Sequence, residues 1–364
     1  MLKNKTIGVV VPSYNEGKQI GMVIGSIPEF VDRIIIVNDK SKDDTASVVK
    51  EYIKNDKAKA GDLNHREKVI PNRYNYAEIV AEKMQEDEQK LFTPSEVYNK
   101  ESQKSRIILI NHLKNGSVGA AIATGYKWCL DNNIDCTAVM GGDGQMDPSE
   151  LESICMPIVD GEVDYVKGNR LKHRSASFVI PRIRFFGNSV LSLLTKIASG
   201  YWQISDTQTG YTAISLEGLR GIKLYDIYKS YGCPNDILVK LNIANFTIKE
   251  VPIKPVYYVG EESKMKIFKV IPRISWLLFK LFWKRLYKKY LFRDFHPLFF
   301  LYHLAILLLL INIPYMLAVL DDVFLGEKVS TNSLIAFMFL GITGFQSLFF
   351  AMWMDMMDNQ RLQK

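Results

Sequence analysis

Thr6-Ile-Gly-Val-Val-Val-Pro-Ser-Tyr-Asn-Glu16 decides the fold. Its first six residues form an apolar, largely β-branched run with no polar alternation. Such a run reads as a strand buried on both faces, the kind found in parallel sheets. Pro12 stops it, and a helical pattern follows to about Ile27. A second run, Arg33-Ile-Ile-Ile-Val37, ends in Asn38-Asp39-Lys40-Ser41, a polar turn that caps a helix starting near Asp43. The order β-α-β-α predicts an α/β doubly wound, mostly parallel sheet with right-handed crossovers. Further runs at 106–110, 137–140 and 164–167 extend it. Residues 54–105 break the rhythm. They are charged, have little strand character and hold short helical stretches such as 76–90, so they read as an insertion carried on the sheet.

The chain has 364 residues, 48% hydrophobic, with a net charge of +7. Position matters more than the totals. Between Lys264 and Arg293 there are ten Lys or Arg and no acid, which points to an anionic surface, lipid headgroups or nucleic acid. On a helical wheel Phe279, Phe282, Trp283, Leu286 and Tyr290 share one arc, and Arg273, Lys280, Lys284 and Lys288 share the opposite one. That is the pattern of an amphipathic helix lying on a membrane, favoured by its aromatic density and basic polar face over a globular surface helix with a core-facing stripe. Residues 297–320 then run without Asp, Glu, Lys or Arg. At about 1.5 Å per residue they reach roughly 36 Å, against a hydrocarbon core of about 30 Å. Residues 333–354 make a second such stretch, with Asp321, Asp322 and Glu327 near the connection. The expected organisation is a catalytic domain at 1–260, an interfacial basic helix region at 261–295, a two-helix transmembrane hairpin at 296–354 and a short tail at 355–364. The basic cluster before the first span places the domain and the tail in the cytoplasm. Met1 to Thr6 lack the apolar stretch of a signal peptide. Cys129, Cys136, Cys155 and Cys233 show no metal spacing and read as buried, reduced thiols.

Polar motifs recur just beyond strand ends, the edge at which open α/β sheets bind ligands. Pro12-Ser-Tyr-Asn-Glu16 can wrap a nucleotide base, with Glu16 also placed to cap a helix. In the next turn Asp39 suits contact with a base N–H or a ribose hydroxyl, while Ser41 and Asp43 suit capping. Residues 116–125 read as a small-residue loop entering a helix that runs to about Asp131, with backbone N–H groups near Gly119 close to a donor. The loop matches no Walker pattern and does not follow the first strand, which excludes a dinucleotide fingerprint. In Met140-Gly-Gly-Asp-Gly-Gln-Met-Asp-Pro148, Asp143 can hold Mg²⁺ or Mn²⁺, and Gln145 can add a carbonyl oxygen. Asp147-Pro148 suits a helix start. Arg170, Arg182 and Arg184 follow, and guanidinium groups bind phosphate bidentately. Asp206, in Ser205-Asp-Thr-Gln-Thr-Gly-Tyr211, can be a base, an acceptor-positioning group or a cap.

As an ordered set these motifs resemble the family 2 inverting glycosyltransferases of the GT-A fold, in particular dolichyl- and polyprenyl-phosphate mannosyl- and glucosyltransferases. The resemblance covers residues 6–50 and 106–255, and the hairpin agrees with membrane-anchored members. It implies that Pro12, Tyr14, Glu16 and Asp39 bind the nucleoside, and that Asp143 and Gln145 hold Mg²⁺ or Mn²⁺ and the diphosphate. Arg170 and Arg184 would bind donor and acceptor phosphates, and Asp206 would lie on the acceptor side. Two motifs depart from the family pattern. Gly141 stands for the first Asp of Asp-x-Asp, and Asn38-Asp39-Lys40-Ser41 stands where the family often has Asp-Asp-Gly-Ser. One carboxylate plus donor phosphates would then hold the metal. The implied partners are a nucleotide-sugar, a polyprenyl phosphate and membrane lipids, with no nucleic acid and with a homo-oligomer left open. The implied reaction is inverting transfer of a hexose to polyprenyl phosphate. The alternatives are transfer to a hydroxyl of a lipid-linked saccharide, with Asp206 as base, and a degenerate nucleotide-sugar-binding membrane protein.

Overall fold

A computed structural model of the protein describes residues 1–56, 70–180, 182–256 and 267–364, apart from the side chains of 177, 182–186 and 267–270. The strands are β1 (Ile7–Ser13), β2 (Arg33–Asn38), β3 (Ser95–Val97), β4 (Ile107–His112), β5 (Cys136–Val139), β6 (Tyr165–Asn169), β7 (Thr212–Ser215) and β8 (Ile248–Pro252). They form one sheet in the order β3-β4-β2-β1-β5-β7-β6-β8. All pairings are parallel except those of β3 with β4 and of β7 with its two neighbours.

The continuous apolar runs are explained by helices on both faces. Val10, Ile35, Val37, Ile108 and Ile110 point to one side, where they meet Ala121, Tyr126 and Leu238. Val9, Val11, Ile34, Ile36 and Leu109 point to the other, against Ile20, Val23 and Ile154. Successive side chains alternate in direction, so a run without polar residues fills both layers. The helix Val118–Asp131 begins earlier than the sequence suggests. Most of the small-residue stretch is therefore helix rather than loop, and its small residues allow close approach. A Cβ on Gly125 would lie 2.3 Å from Val10 Cγ1.

Three strands are unannounced in the sequence. β3 is three exposed residues from the inserted segment, pairing at the sheet edge. The insertion also carries the helix Tyr76–Gln89, which has no buried residue. β7 and β8 are short and mixed in character. All four cysteines are buried and unpaired.

The helix Ile267–Arg285 continues into a π-helical segment, Leu286–Arg293. Two long helices follow, Pro297–Phe324 and Thr331–Gln360, with mean hydropathies of 2.2 and 1.9 and mostly exposed apolar surfaces. Their length and surface are those of a membrane anchor. The apolar arc of the preceding helix does not all face outward. Phe282, Trp283, Leu286 and Tyr290 pack with Leu298, Phe299 and Tyr302 of the hairpin, leaving Trp276 and Phe279 exposed. The basic face is likewise divided. Arg273, Lys280, Lys288 and Arg293 are exposed. Lys284 pairs with Asp226 at 2.9 Å, and Arg285 and Lys289 are fully buried. Lys264, Lys266 and the side chain of Lys269 lie outside the described residues.

Arg285 is the joint between anchor and domain. Its two terminal nitrogens bond both Asp355 oxygens at 2.7 Å. Its Nε donates to the Ala198 carbonyl at 2.9 Å, and Tyr290 Oη donates to Asp355 at 2.7 Å. Beside it, Lys289 Nζ donates to Asn359 Oδ1 (2.7 Å) and Asn242 Oδ1 (3.2 Å). The residues after the hairpin do not hang free. Ile248 N–H donates to the Leu362 carbonyl at 2.9 Å and Lys364 N–H to the Ile248 carbonyl at 3.1 Å, along the open edge of β8. Asp355→Ala should lower stability in detergent by about 3–5 kcal/mol, since it strands a buried guanidinium. A double change to Arg285→Met and Asp355→Met should recover much of that loss. Thermal unfolding of the two variants measures both.

Candidate functional site

The cleft lies at the carboxyl ends of β1, β2, β5 and β6 and has a volume of about 1020 Å³. Its first wall is the turn after β1. Asn15 sits at φ 55°, a conformation that Asn tolerates better than most residues. Its N–H donates to Ser41 Oγ at 2.9 Å, and its Oδ1 accepts from Lys42 N–H at 2.8 Å. Asp43 accepts from Gly17 N–H at 2.9 Å and from Thr45 N–H at 3.1 Å, tying two helix starts together. The capping expected of Glu16 is thus supplied by Asp43. Pro12, Tyr14 and Glu16 are all presented to the cleft. Asn38 bonds the Asn111 side chain at 2.9 Å while accepting from Ser41 N–H at 3.1 Å. A carboxylate could not donate the first of these.

Asp39 is on the cleft floor but almost wholly buried. Its carboxylate accepts from the N–H groups of Gly116 and Ser117, both at 2.7 Å, and lies 2.7 Å from His112 Nδ1. Burial opposes its ionisation, but His112 and the two amides outweigh burial and hold the carboxyl below its ordinary range. Asp39 therefore anchors the start of the helix Val118–Asp131. Asn115 and Ser117, from the small-residue stretch, belong to this corner, and so does His112, which ends a strand run and which no sequence motif marks. Gly119 is outside the cleft lining. Its N–H donates to the Lys229 carbonyl at 2.8 Å, and a Cβ there would stand 2.1 Å from the Tyr228 carbonyl oxygen.

The turn after β5 carries Asp143 and Gln145 into the cleft. Gly144, at φ 74°, reverses the chain. Gln145 N–H donates to Asp143 Oδ1 at 3.1 Å. A Cβ on Gly142 would meet Ser13 Oγ at 2.6 Å, so a side chain there would require Ser13 to turn away where the ends of β1 and β5 close together. Among the described residues no three His, Cys, Asp or Glu side chains gather into a metal cluster. Asp143 and the Gln145 carbonyl are hard oxygen donors, and they fit Mg²⁺ or Mn²⁺ if phosphate oxygens complete the shell. Asp147 accepts from Ser149 N–H at 2.9 Å and starts the next helix.

Arg170 lines the cleft at the end of β6. Its Nε and one terminal nitrogen grip Asp206 at 2.8 and 3.0 Å, and its backbone N–H donates to the same carboxylate at 3.1 Å. Asp206 is fully buried and outside the lining. Burial opposes its charge, but the Arg170 bonds and charge, with Lys167 behind, hold its carboxyl below the usual range. Burial pushes the Lys167 ammonium down to about 8 against the pull of Asp206 and Glu250, and its Nζ donates to the Thr209 carbonyl at 2.5 Å. Arg182 and Arg184 fall at the start of the helix Arg182–Ser199, and their side chains lie outside the described residues.

The lining also has an apolar part. Leu191 of that helix, Ile253 and Val256 beyond β8, and Ile271 and Ile274 of Ile267–Arg285 belong to it, and Leu191, Ile271 and Ile274 pack in one cluster. The polar strand-end turns thus run into an apolar groove built partly by the helix that leads to the membrane hairpin.

Comparison with known proteins gives the family. The model of glycosyl transferase family 2 matches residues 8–81 and 87–222. A UDP-N-acetylglucosamine–dolichyl-phosphate N-acetylglucosaminyltransferase of Methanococcus voltae is 28% identical over 257 residues, covering 70% of this chain and 88% of the relative. An undecaprenyl-phosphate mannosyltransferase of Micrococcus luteus is 31% identical over 159 residues, covering 43% of this chain and 64% of that protein. Among solved structures, glucosyl-3-phosphoglycerate synthase of Mycobacterium tuberculosis with Mn²⁺, UDP and phosphoglyceric acid aligns with a TM-score of 0.46 at 15% identity, over 78% of each chain. Matched over more than half its length, with its polar strand-end turns gathered around one cleft, the chain belongs to glycosyl transferase family 2 and is a nucleotide-sugar-dependent glycosyltransferase.

Proposed function

We propose that the chain transfers a hexose, with inversion, from a nucleotide-sugar to a polyprenyl phosphate at the cytoplasmic membrane face. The carrying observation is the two-part cleft, whose polar turns meet an apolar wall continuous with the membrane-side helix. The relatives from Methanococcus voltae and Micrococcus luteus are named for dolichyl and undecaprenyl phosphate acceptors.

In this reading Pro12, Tyr14, Glu16 and the Asp39 corner hold the nucleoside. Asp143 and Gln145 hold the metal with the donor diphosphate, and a bound Mg²⁺ or Mn²⁺ supplies Lewis-acid stabilisation of the leaving group. Arg170, fixed in plane by Asp206, faces the phosphates where donor and acceptor meet. Arg184 is a second phosphate ligand from the neighbouring helix. A phosphate acceptor is already anionic near neutral pH, so transfer needs alignment and charge stabilisation but no proton abstraction. That favours a phosphate over a hydroxyl acceptor. Asp206, the base a hydroxyl would require, is shut away from solvent, clasped by Arg170 and a weak base with its carboxyl held low. Both ends of the hairpin sit on the domain side, and the exposed Arg273, Lys280, Lys288 and Arg293 flank it. This supports a cytoplasmic domain.

With UDP-GlcNAc, UDP-glucose and GDP-mannose offered in turn with dolichyl or undecaprenyl phosphate, one donor should release nucleoside diphosphate. EDTA should abolish that release and Mg²⁺ or Mn²⁺ restore it, and Asp143→Asn should cost about 100-fold or more. Release unaffected by chelation would refute the metal assignment. Asp206→Asn should keep measurable turnover. A folded carboxyl held low contributes stability above its unfolded pKa of about 4, lost as pH falls below it. The variant should therefore show a flatter acid limb in its melting profile. Complete loss of turnover in a folded Asp206→Asn protein would restore the hydroxyl reading. For orientation, Glu327→Cys should react with an impermeant maleimide added outside intact cells, the native cysteines being buried. Labelling only after lysis would invert the topology.

A further inference from the structure

One buried carboxylate, Glu250 on β8, is not accounted for by the roles above. Its side chain is 5% exposed, yet it sits in a strand whose sequence, Ile-Lys-Glu-Val-Pro, reads as surface. Four donors converge on it. Oε1 accepts the backbone N–H groups of Ser205 (2.8 Å) and Asp206 (3.1 Å). Oε2 accepts from Asn169 Nδ2 (2.6 Å) and from the Ser205 hydroxyl (3.1 Å), with Lys172 Nζ at 3.4 Å. Asn169 passes the constraint on, since its Oδ1 accepts from Leu171 N–H (2.8 Å) and Lys172 N–H (3.2 Å). The turn that carries Arg170 is therefore pinned on both sides of that residue, and so is the backbone of its partner Asp206. Both halves of the Arg170–Asp206 clasp refer to one carboxylate that itself lies outside the cleft lining.

We propose that Glu250 is a positioning residue for the transfer step, acting through Asp206 to hold the Arg170 guanidinium at the phosphates. The inference rests on the phosphate-binding reading of Arg170. A carboxylate is required because every protein group around it is a donor. Glutamine offers one accepting oxygen and turns two N–H groups toward donors, so at least one side of the clasp loses its reference. Small displacements of a charge-stabilising group cost rate steeply.

The residues just before the same two strands offer a natural control. At the other end of the pairing, Asp164 Oδ2 accepts from Thr247 N–H (2.9 Å) and from the Thr247 hydroxyl (2.8 Å), away from the cleft. Asp164→Asn should weaken the sheet without moving Arg170.

The test is a double-mutant cycle on the full chain in detergent, with whichever of UDP-GlcNAc, UDP-glucose or GDP-mannose turns over. Glu250→Gln should lower kcat by about 10- to 100-fold. Arg170→Lys, which loses bidentate geometry, should fall at least as far. The Glu250→Gln/Arg170→Lys double variant should be within about 3-fold of Arg170→Lys alone, since the two act as a unit. Asp164→Asn should multiply independently with Arg170→Lys. Losses that multiply for Glu250→Gln, or a Glu250→Gln enzyme at wild-type kcat, overturn the inference while leaving Arg170 in place. An Arg170→Lys enzyme at full activity, or no turnover with any of the three donors, removes the reading of Arg170 and this inference with it.

Discussion

Arg285 and Asp355 are both withdrawn from water, and charges so placed are tolerated only when they face each other with their remaining bonds filled. That condition is met by elements from three parts of the chain: the basic helix, the end of the hairpin, and the carbonyls of Ile197 and Ala198 that close the helix Arg182–Ser199. The same helix supplies Leu191 to the apolar wall of the cleft. A membrane segment and a binding groove thus share one buried charge pair, which leaves little freedom for the domain to swing relative to its anchor. Leu191, Ala198, Ile274 and Leu278 pack between them and reinforce the joint.

Inside the domain, charge is arranged by a similar rule on a smaller scale. Lys167, Arg170 and Lys172 stand along one strand end, with Asp206 and Glu250 between them. Of these cations Arg170 alone is in the cleft lining, while Lys167 is buried and donates to the Thr209 carbonyl. The Asp39 corner has opposite logic. Its carboxylate is consumed by internal amides and His112, so the floor it forms is stiff. The nucleoside would be read against a surface already set before binding, which lowers the entropy lost on association.

Much of the sheet was legible because β1, β2 and β4 are buried on both faces and so lack polar interruptions. The edge-ward strands were not. β3 has three exposed residues and β8 ends in a proline with only Ile248 fully buried, so neither carries a periodic signal. The cleft was legible to the extent that function sits at strand ends. Pro12, Tyr14, Glu16, Asp39, Asp143, Gln145 and Arg170 converge there. Asp206 and Gly119 mark the limit of that logic. The first lies beneath the surface, bonded to Arg170, and the second lets two segments approach. Glu250 and His112 escaped notice because a single polar residue in or after a strand looks like a solvated one until its partners are known. The basic stretch is legible only in part. Its exposed members fit a headgroup surface, but Arg285 and Lys289 turn inward, which no count of charges reveals.

Residues 361–364 lie along the open edge of β8, the strand that also bears Glu250. They leave the ribosome only after both apolar helices. Synthesis therefore completes both apolar helices before the residues that cover this end of β8 exist, so that stretch of the margin is covered last.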